Sequence, residues 1–429
     1  MSERSERPGV MSERSERPGV MSERATVDFD HNSEEFARDG DAILGDLRAR
    51  CPVAYTEQHG GYWVLTSYGA AERTMRDERT FSSRHEPPEA DGFHFAGVNI
   101  PEAAMANVLI EQDPPEWNPI RRILNPLFAP PKVATLRTTF ERFTGDCIDR
   151  VIESGTIDFV LDLANPVPAM ATLEFLGLPL DQWERYAEPC HEVVYSRPGS
   201  PEFMKAIEGQ MWMFDAVRSE VTARREDPRD DNLTAIMQAD VGGRTLDDDE
   251  VVSLCGTIIN GGVDTTTALL ANAIEYLDRN HDLRAALAAD PALVTVAAEE
   301  FLRYFSPVQA FARTVAEDTE LDGQHLTRGD RVLVHFGAAN RDEREFPDPD
   351  TFVADRSPNR HMSFGLGKHR CVGSTFARAE FTVMLQQVLA RMPDYVLDRA
   401  AMEAYPSHGI VRGYIRMPGS FTRGGLRRA

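Results

Sequence analysis

The sequence predicts a mainly α chain with a smaller β region. Helical periodicity dominates from about residue 130 to 303, and one unbroken run near 247–279 lies inside that block. Strand-like stretches are short and lie outside it, at 53–67, around the turn Asp322-Gly323 and at 331–336.

The chain begins with the decapeptide Met-Ser-Glu-Arg-Ser-Glu-Arg-Pro-Gly-Val written twice, over 1–20. Met-Ser-Glu-Arg then returns at 21–24. The period is too short and the tract too polar to bury a core. Residues 1–24 are read as a disordered tail, or as three alternative starts at Met1, Met11 and Met21, and carry no function. Residues 25–429 form one domain, because no Gly/Ser- or Pro-rich linker divides them.

The first strands are a hairpin: Gly60-Gly61 marks the turn and Tyr62-Trp63-Val64-Leu65 a strand. The long helix starts at Thr245 and the acids Asp247, Asp248, Asp249 and Glu250, which suit a helix N-terminus. At 1.5 Å per residue it is roughly 50 Å long. Gly261-Gly262 in its middle costs about 1 kcal/mol per glycine against alanine. Close helix packing is one reason to keep them there; room for a flat ligand is another. A last helical pattern follows residue 373.

Acidic residues outnumber basic ones, 69 to 46, and the net charge is −23. That excludes a nucleic-acid binder, which needs a basic face, and suits a soluble cytoplasmic protein. No apolar run approaches 18 residues, so no membrane anchor is expected. The five cysteines are odd in number and irregularly spaced, which fits neither a disulfide framework nor a zinc site.

One of them stands apart. Phe364-Gly365-Leu366-Gly367-Lys368-His369-Arg370-Cys371-Val372-Gly373 reads F-G-x-G-x-H-x-C-x-G. A thiolate needs positive neighbours, backbone N–H groups or a metal. This loop offers all three, and its glycines let the backbone approach a flat partner against which Phe364 can pack. A buried structural cysteine is the plainer alternative.

The loop resembles the haem-binding signature of the cytochrome P-450 family. Glu300-Phe301-Leu302-Arg303 is similar to its E-x-x-R motif. Gly261-Gly262-Val263-Asp264-Thr265-Thr266 is similar to the oxygen-binding stretch of its central helix, and Asp113-Pro114-Pro115-Glu116 through Arg122 to the approach to a haem-contacting helix. The resemblance implies the cytochrome P-450 fold, with a long central helix over haem b and Cys371 as the thiolate ligand of the iron. It implies haem contacts from Phe364, Gly365, Gly373 and Gly261, and propionate partners in Arg121, Arg313 and His369. Trp117 stands where the family often has histidine; its one N–H leaves a weaker contact. The pair Asp264 and Thr265 is implied as the proton relay. Glu300 and Arg303, with Arg356 or Arg360 as third member, are implied as structural.

Substrate contacts are expected from Ile258, Gly262, Val308, Phe311 and Val194, with Phe93 to Ile100 as a further lining. These stretches are apolar, so a small-to-medium organic substrate is expected, hydroxylated or epoxidised with O2. Electrons are expected from NAD(P)H through ferredoxin reductase and ferredoxin, to a monomeric enzyme. No acid occurs between Arg356 and Ala379; that window is read as a basic docking face for the donor. Oxidative coupling or desaturation at the same site, and a haem-thiolate ligand sensor without turnover, are the alternatives. Asp264-Thr265 argues against the sensor, which has no need of proton delivery.

Overall fold

The computed structural model describes residues 24–427 except 91, 104 and 105. The repeated decapeptide therefore lies outside the described residues. The expected mixture is present: a large helical body beside a small sheet region.

The central helix is Asp248–Arg279. Its cap is Asp247 rather than Thr245: the Asp247 carboxylate accepts the Glu250 N–H and the Glu250 side chain accepts the Asp247 N–H, a reciprocal box. The helix is buried over most of its length, so it is apolar nearly all round. Pro166–Leu176, Trp183–Tyr195 and Pro201–Glu226 pack against it, as do Pro291–Phe305 and Ser374–Arg391.

The main sheet has five strands in the order Val53–Thr56, Tyr62–Leu65, Arg331–His335, Ala310–Val315, Phe81–Ser82. Only the second and third pair in parallel, with Trp63 opposite Val332. The other pairings are antiparallel, and Arg313 sits opposite Val332 from the far side. Thr319–Leu321 and Gln324–Leu326 form the hairpin read around Asp322-Gly323. Among the described residues one stretch, Phe159–Leu176, is long and apolar enough to cross a membrane; 83% of it is buried inside the protein.

Candidate active site

Cys371 closes the loop that feeds the Ser374–Arg391 helix. Its N–H donates to the Phe364 carbonyl at 2.8 Å. Gly365 and Gly367 hold φ of 65° and 67°, the left-handed region that glycine enters without strain. A Cβ at Gly367 would stand 2.3 Å from the Met75 carbonyl oxygen, so no side chain fits there. The Arg378 guanidinium lies 4.5 Å from the Phe364 ring centroid.

Burial pushes the Cys371 thiol up; the Gly373 N–H and then Arg121, Arg370 and Arg378 pull it back without winning. Yet the side chain is exposed. Both hold because many protein atoms surround the thiol while the residue keeps an open face. A bound metal ion would favour the thiolate.

On the central helix the two glycines divide the roles offered for them. A Cβ at Gly262 would stand 2.5 Å from Thr172 Oγ1, so close helix packing requires glycine there. A Cβ at Gly261 would meet nothing within 4 Å. Thr265, one turn on, faces the same side and donates its hydroxyl to the Gly261 carbonyl at 2.9 Å. Asp264 faces elsewhere and is fully buried. Its carboxylate lies 2.5 Å from His191 Nδ1 and accepts the Tyr405 hydroxyl at 2.9 Å. The acid and the alcohol are adjacent in sequence but point to different faces.

Four side chains converge beside the cysteine loop. Arg313 is buried, makes no ion pair among the described residues, and donates to the carbonyl of its neighbour Ala312 at 2.6 Å. Burial pushes its guanidinium down to about 10. His369 feels both Arg313 and Arg121, and burial holds it below its ordinary value. Its Nε2 is 3.6 Å from Asp113, too far for a hydrogen bond. The Trp117 ring lies 5.7 Å from His369, with Arg121 5.6 Å from the indole centroid. Trp117 Nε1 and His369 Nε2 are both buried without hydrogen-bond partners. Unpartnered donors and an unpaired buried guanidinium are costly alone and fit a bound anion.

A family model for cytochrome P-450 matches residues 202–392. The steroid C26-monooxygenase of Mycobacterium tuberculosis is 31% identical over 391 residues, covering 90% of this chain and 94% of that protein. This chain belongs to the cytochrome P-450 family. The cyclomarin C epoxidase of Salinispora arenicola is 29% identical over 374 residues, 86% of this chain and 92% of its own. The structure of a Mycobacterium marinum cytochrome P-450 in complex with pseudoionone superposes with a TM-score of 0.84 at 26% identity, over 93% of this chain and 100% of that one.

This cytochrome P-450 is accordingly a haem-dependent monooxygenase. The family holds haem b through a cysteine thiolate, takes electrons from redox partners, and acts on small organic molecules with O2. The residues present fit the group: an exposed cysteine, an unpaired buried arginine, and two unpartnered ring nitrogens.

Elsewhere the P-450 chain sorts its candidates clearly. Arg303 grips Glu300 with two bonds of 2.8 Å, and both are fully buried. The third member is Arg356, at 3.1 and 3.2 Å from the same carboxylate; Arg360 instead lies near Glu345. Ile258 shares the Gly261 side of the central helix. Val308 and Phe311 are half-buried, Phe311 against Phe336. Val194 does not reach that side: it packs with Ala268, Tyr405 and Val411. Of the expected docking cations, Arg356 is spent on Glu300 and Arg378 on Glu299, which those bonds and His361 hold down to about 2 despite its burial. Lys368 pairs with Glu78. Arg370 is exposed. The one other grouping of metal-ligand type among the described residues, Asp30, His31 and His59, has both His31 nitrogens engaged, by Tyr62 and the Ile100 carbonyl.

Sequence reasoning missed His191, Tyr405 and Glu380. Glu380 is fully buried between the Ser374–Arg391 helix and the central helix, and neither oxygen has a well-formed hydrogen bond. Burial pushes it up to about 8, with Thr266 offsetting only part. The folded protein therefore keeps a proton that the unfolded chain releases near 4.5. Stability falls as pH rises through that window, because the native state binds the extra proton. Glu380→Gln is expected to flatten the fall, read as the denaturant midpoint against pH. An equally steep dependence in the variant would assign it to other groups.

Proposed function

We propose that Cys371 would hold haem b through its thiolate in a monooxygenase that hydroxylates or epoxidises a small-to-medium, mostly apolar organic substrate. The observation that carries this is convergence: beside the exposed Cys371, Arg313 is buried without an ion pair among the described residues, and Trp117 Nε1 and His369 Nε2 are buried without hydrogen-bond partners. One bound group with a metal centre and carboxylates satisfies all four. Arg121, Arg313 and His369 hold the propionates by charge-assisted bonds, and Trp117 adds one N–H. Phe364, Gly365 and Gly373 lie against the thiolate side, and Gly261 leaves room on the central helix. When bound, the haem supplies the iron at which O2 is activated. Thr265 holds a hydroxyl on the Gly261 face, and Asp264 stores the proton delivered there. Ile258, Val308 and Phe311 give the substrate an apolar wall. Glu300, Arg303 and Arg356 hold the segment before the cysteine loop.

The test is the absorption spectrum of the reduced protein with carbon monoxide. The red-shifted Soret band that gives the family its number is expected. A band at the position of imidazole-ligated haem would overturn the thiolate assignment.

Electrons arrive from a ferredoxin-type protein at the face bearing Arg370. Arg370→Glu is expected to slow reduction by ferredoxin about tenfold at low ionic strength, since opposite charge mainly speeds encounter. The difference should shrink as salt rises. Equal rates at low salt would remove Arg370 from the docking face.

A further inference from the structure

Asp264 has no lysine or arginine partner among the described residues; its one ion pair is with His191. A buried carboxylate without a fixed cation is costly unless a proton sits with it. His191 is itself 5% exposed, with Nδ1 2.5 Å from Asp264 Oδ1. Such a pair is neutral whether the shared proton lies on nitrogen or on oxygen. Tyr405 completes the clamp from the C-terminal segment. Its hydroxyl lies 2.9 and 3.2 Å from the two carboxylate oxygens and 3.1 Å from His191 Nδ1. Burial and Asp264 push this phenol well above its ordinary value, so it stays a donor. Three elements thus meet on one carboxylate: the Trp183–Tyr195 helix, the central helix and the C-terminal segment.

The other titratable groups around His191 are few. Tyr195 lies 5.3 Å from its ring, and Cys190 is next to it in the same helix. From the Pro201–Glu226 helix, Lys205 pairs outward with Glu188 and Glu192. None of them supplies a second cation to Asp264.

We propose that His191 and Tyr405 are positioning residues for proton delivery, and that the His191–Asp264 pair stores the proton passed to the Thr265 face. This rests on the reading of Asp264 as the proton source. The proton leaves the Asp264 carboxyl, and the pair is left as carboxylate and neutral imidazole. One proton returned from water to the carboxylate restores it; Nε2, which keeps its own proton throughout, is buried and has no hydrogen-bond partner. No electrons move, and the pair passes from neutral to −1 and back.

Two measurements test this on the haem-loaded protein. In the diamagnetic ferrous carbon monoxide complex, proton NMR is expected to show a far-downfield Nδ1–H resonance. It should vanish in His191→Gln and in Asp264→Asn. Its absence from the wild type would overturn the shared proton without reference to turnover. The second readout is product formed per NAD(P)H against pH. Glutamine can keep a hydrogen bond to Asp264 but cannot carry the proton. His191→Gln is therefore expected to lower coupling by at least about tenfold, part of the 10²–10⁴-fold that a placed proton donor contributes. The wild type is expected to lose coupling towards alkaline pH, and the variant to lose that dependence. Tyr405→Phe should lower coupling but keep the pH profile. If Asp264→Asn couples like the wild type, the Asp264 reading fails and takes this one with it. If Asp264→Asn uncouples while His191→Gln keeps the wild-type profile, only the role of His191 is overturned.

Discussion

Cys371→Ser protein is expected to lose the red-shifted carbon monoxide band completely and to form product only at background. The reason lies in the loop. Burial pushes the thiol up against the pull of the Gly373 N–H and of Arg121, Arg370 and Arg378, and a serine hydroxyl is far harder to ionise than a thiol. A neutral hydroxyl cannot push electron density onto iron as a thiolate does. The substitution removes little packing, because Cys371 is exposed. Unfolding midpoints of the haem-free proteins should therefore agree within about 0.5 kcal/mol. The check is paired: the carbon monoxide spectrum and denaturant unfolding of the same two proteins. A red-shifted band surviving in the variant would mean that another residue is the ligand. Cys147, Cys190 and Cys255 are poor substitutes, since each is buried in packed core.

The cysteine loop was legible because its chemistry is contiguous. Ten residues carry the ligand, the left-handed glycines and the helix start that follows, so no tertiary contact is needed to read it. Glu300 and Arg303 were legible for the same reason: a spacing of three places both on one side of a helix. The choice between Arg356 and Arg360 was not, because it depends on where a turn of irregular chain passes the 291–305 helix. The relay shows the opposite failure. Adjacency in sequence suggested that Asp264 and Thr265 act side by side, whereas successive helix positions point about 100° apart. Asp264 faces partners 73 and 141 residues away, His191 and Tyr405. No local pattern announces them. The glycine pair divided along the same line: helix phase sends Gly262 to Thr172 and Gly261 to the open side. Charge counting misled in its own way. A window without acids looked like a bare basic face, but Glu299 and Glu300 lie outside it in sequence and against it in space.

Glu300→Ala is expected to cost about 3–5 kcal/mol, the range for removing one partner from a buried ion pair. Glu300 accepts from four residues at once: Arg303 twice, Arg356 Nε shared between both oxygens, the Val353 N–H at 2.9 Å and Asn359 at 3.1 Å. Its loss strands two guanidinium groups. Arg303 is fully buried and retains only the carbonyls of Asn340, Pro349 and Thr351. Those carbonyls belong to the segment that leads into the cysteine loop, so the damage should reach haem retention as well as the unfolding midpoint. Against a total stability of about 5–15 kcal/mol, such a loss leaves a marginal protein. The control is Glu141→Ala, which breaks an exposed pair with Arg137 at the same 2.8 Å. It is expected to cost under about 0.5 kcal/mol, because exposed pairs exchange one solvated state for another. Equal distances with unequal burial isolate the desolvation of the stranded charge as the cause. If both substitutions cost under about 1 kcal/mol, the Glu300 network is relaxed by water in solution, and the rigidity of the cysteine loop must come from the apolar packing of Phe301, Phe352 and Phe381 instead.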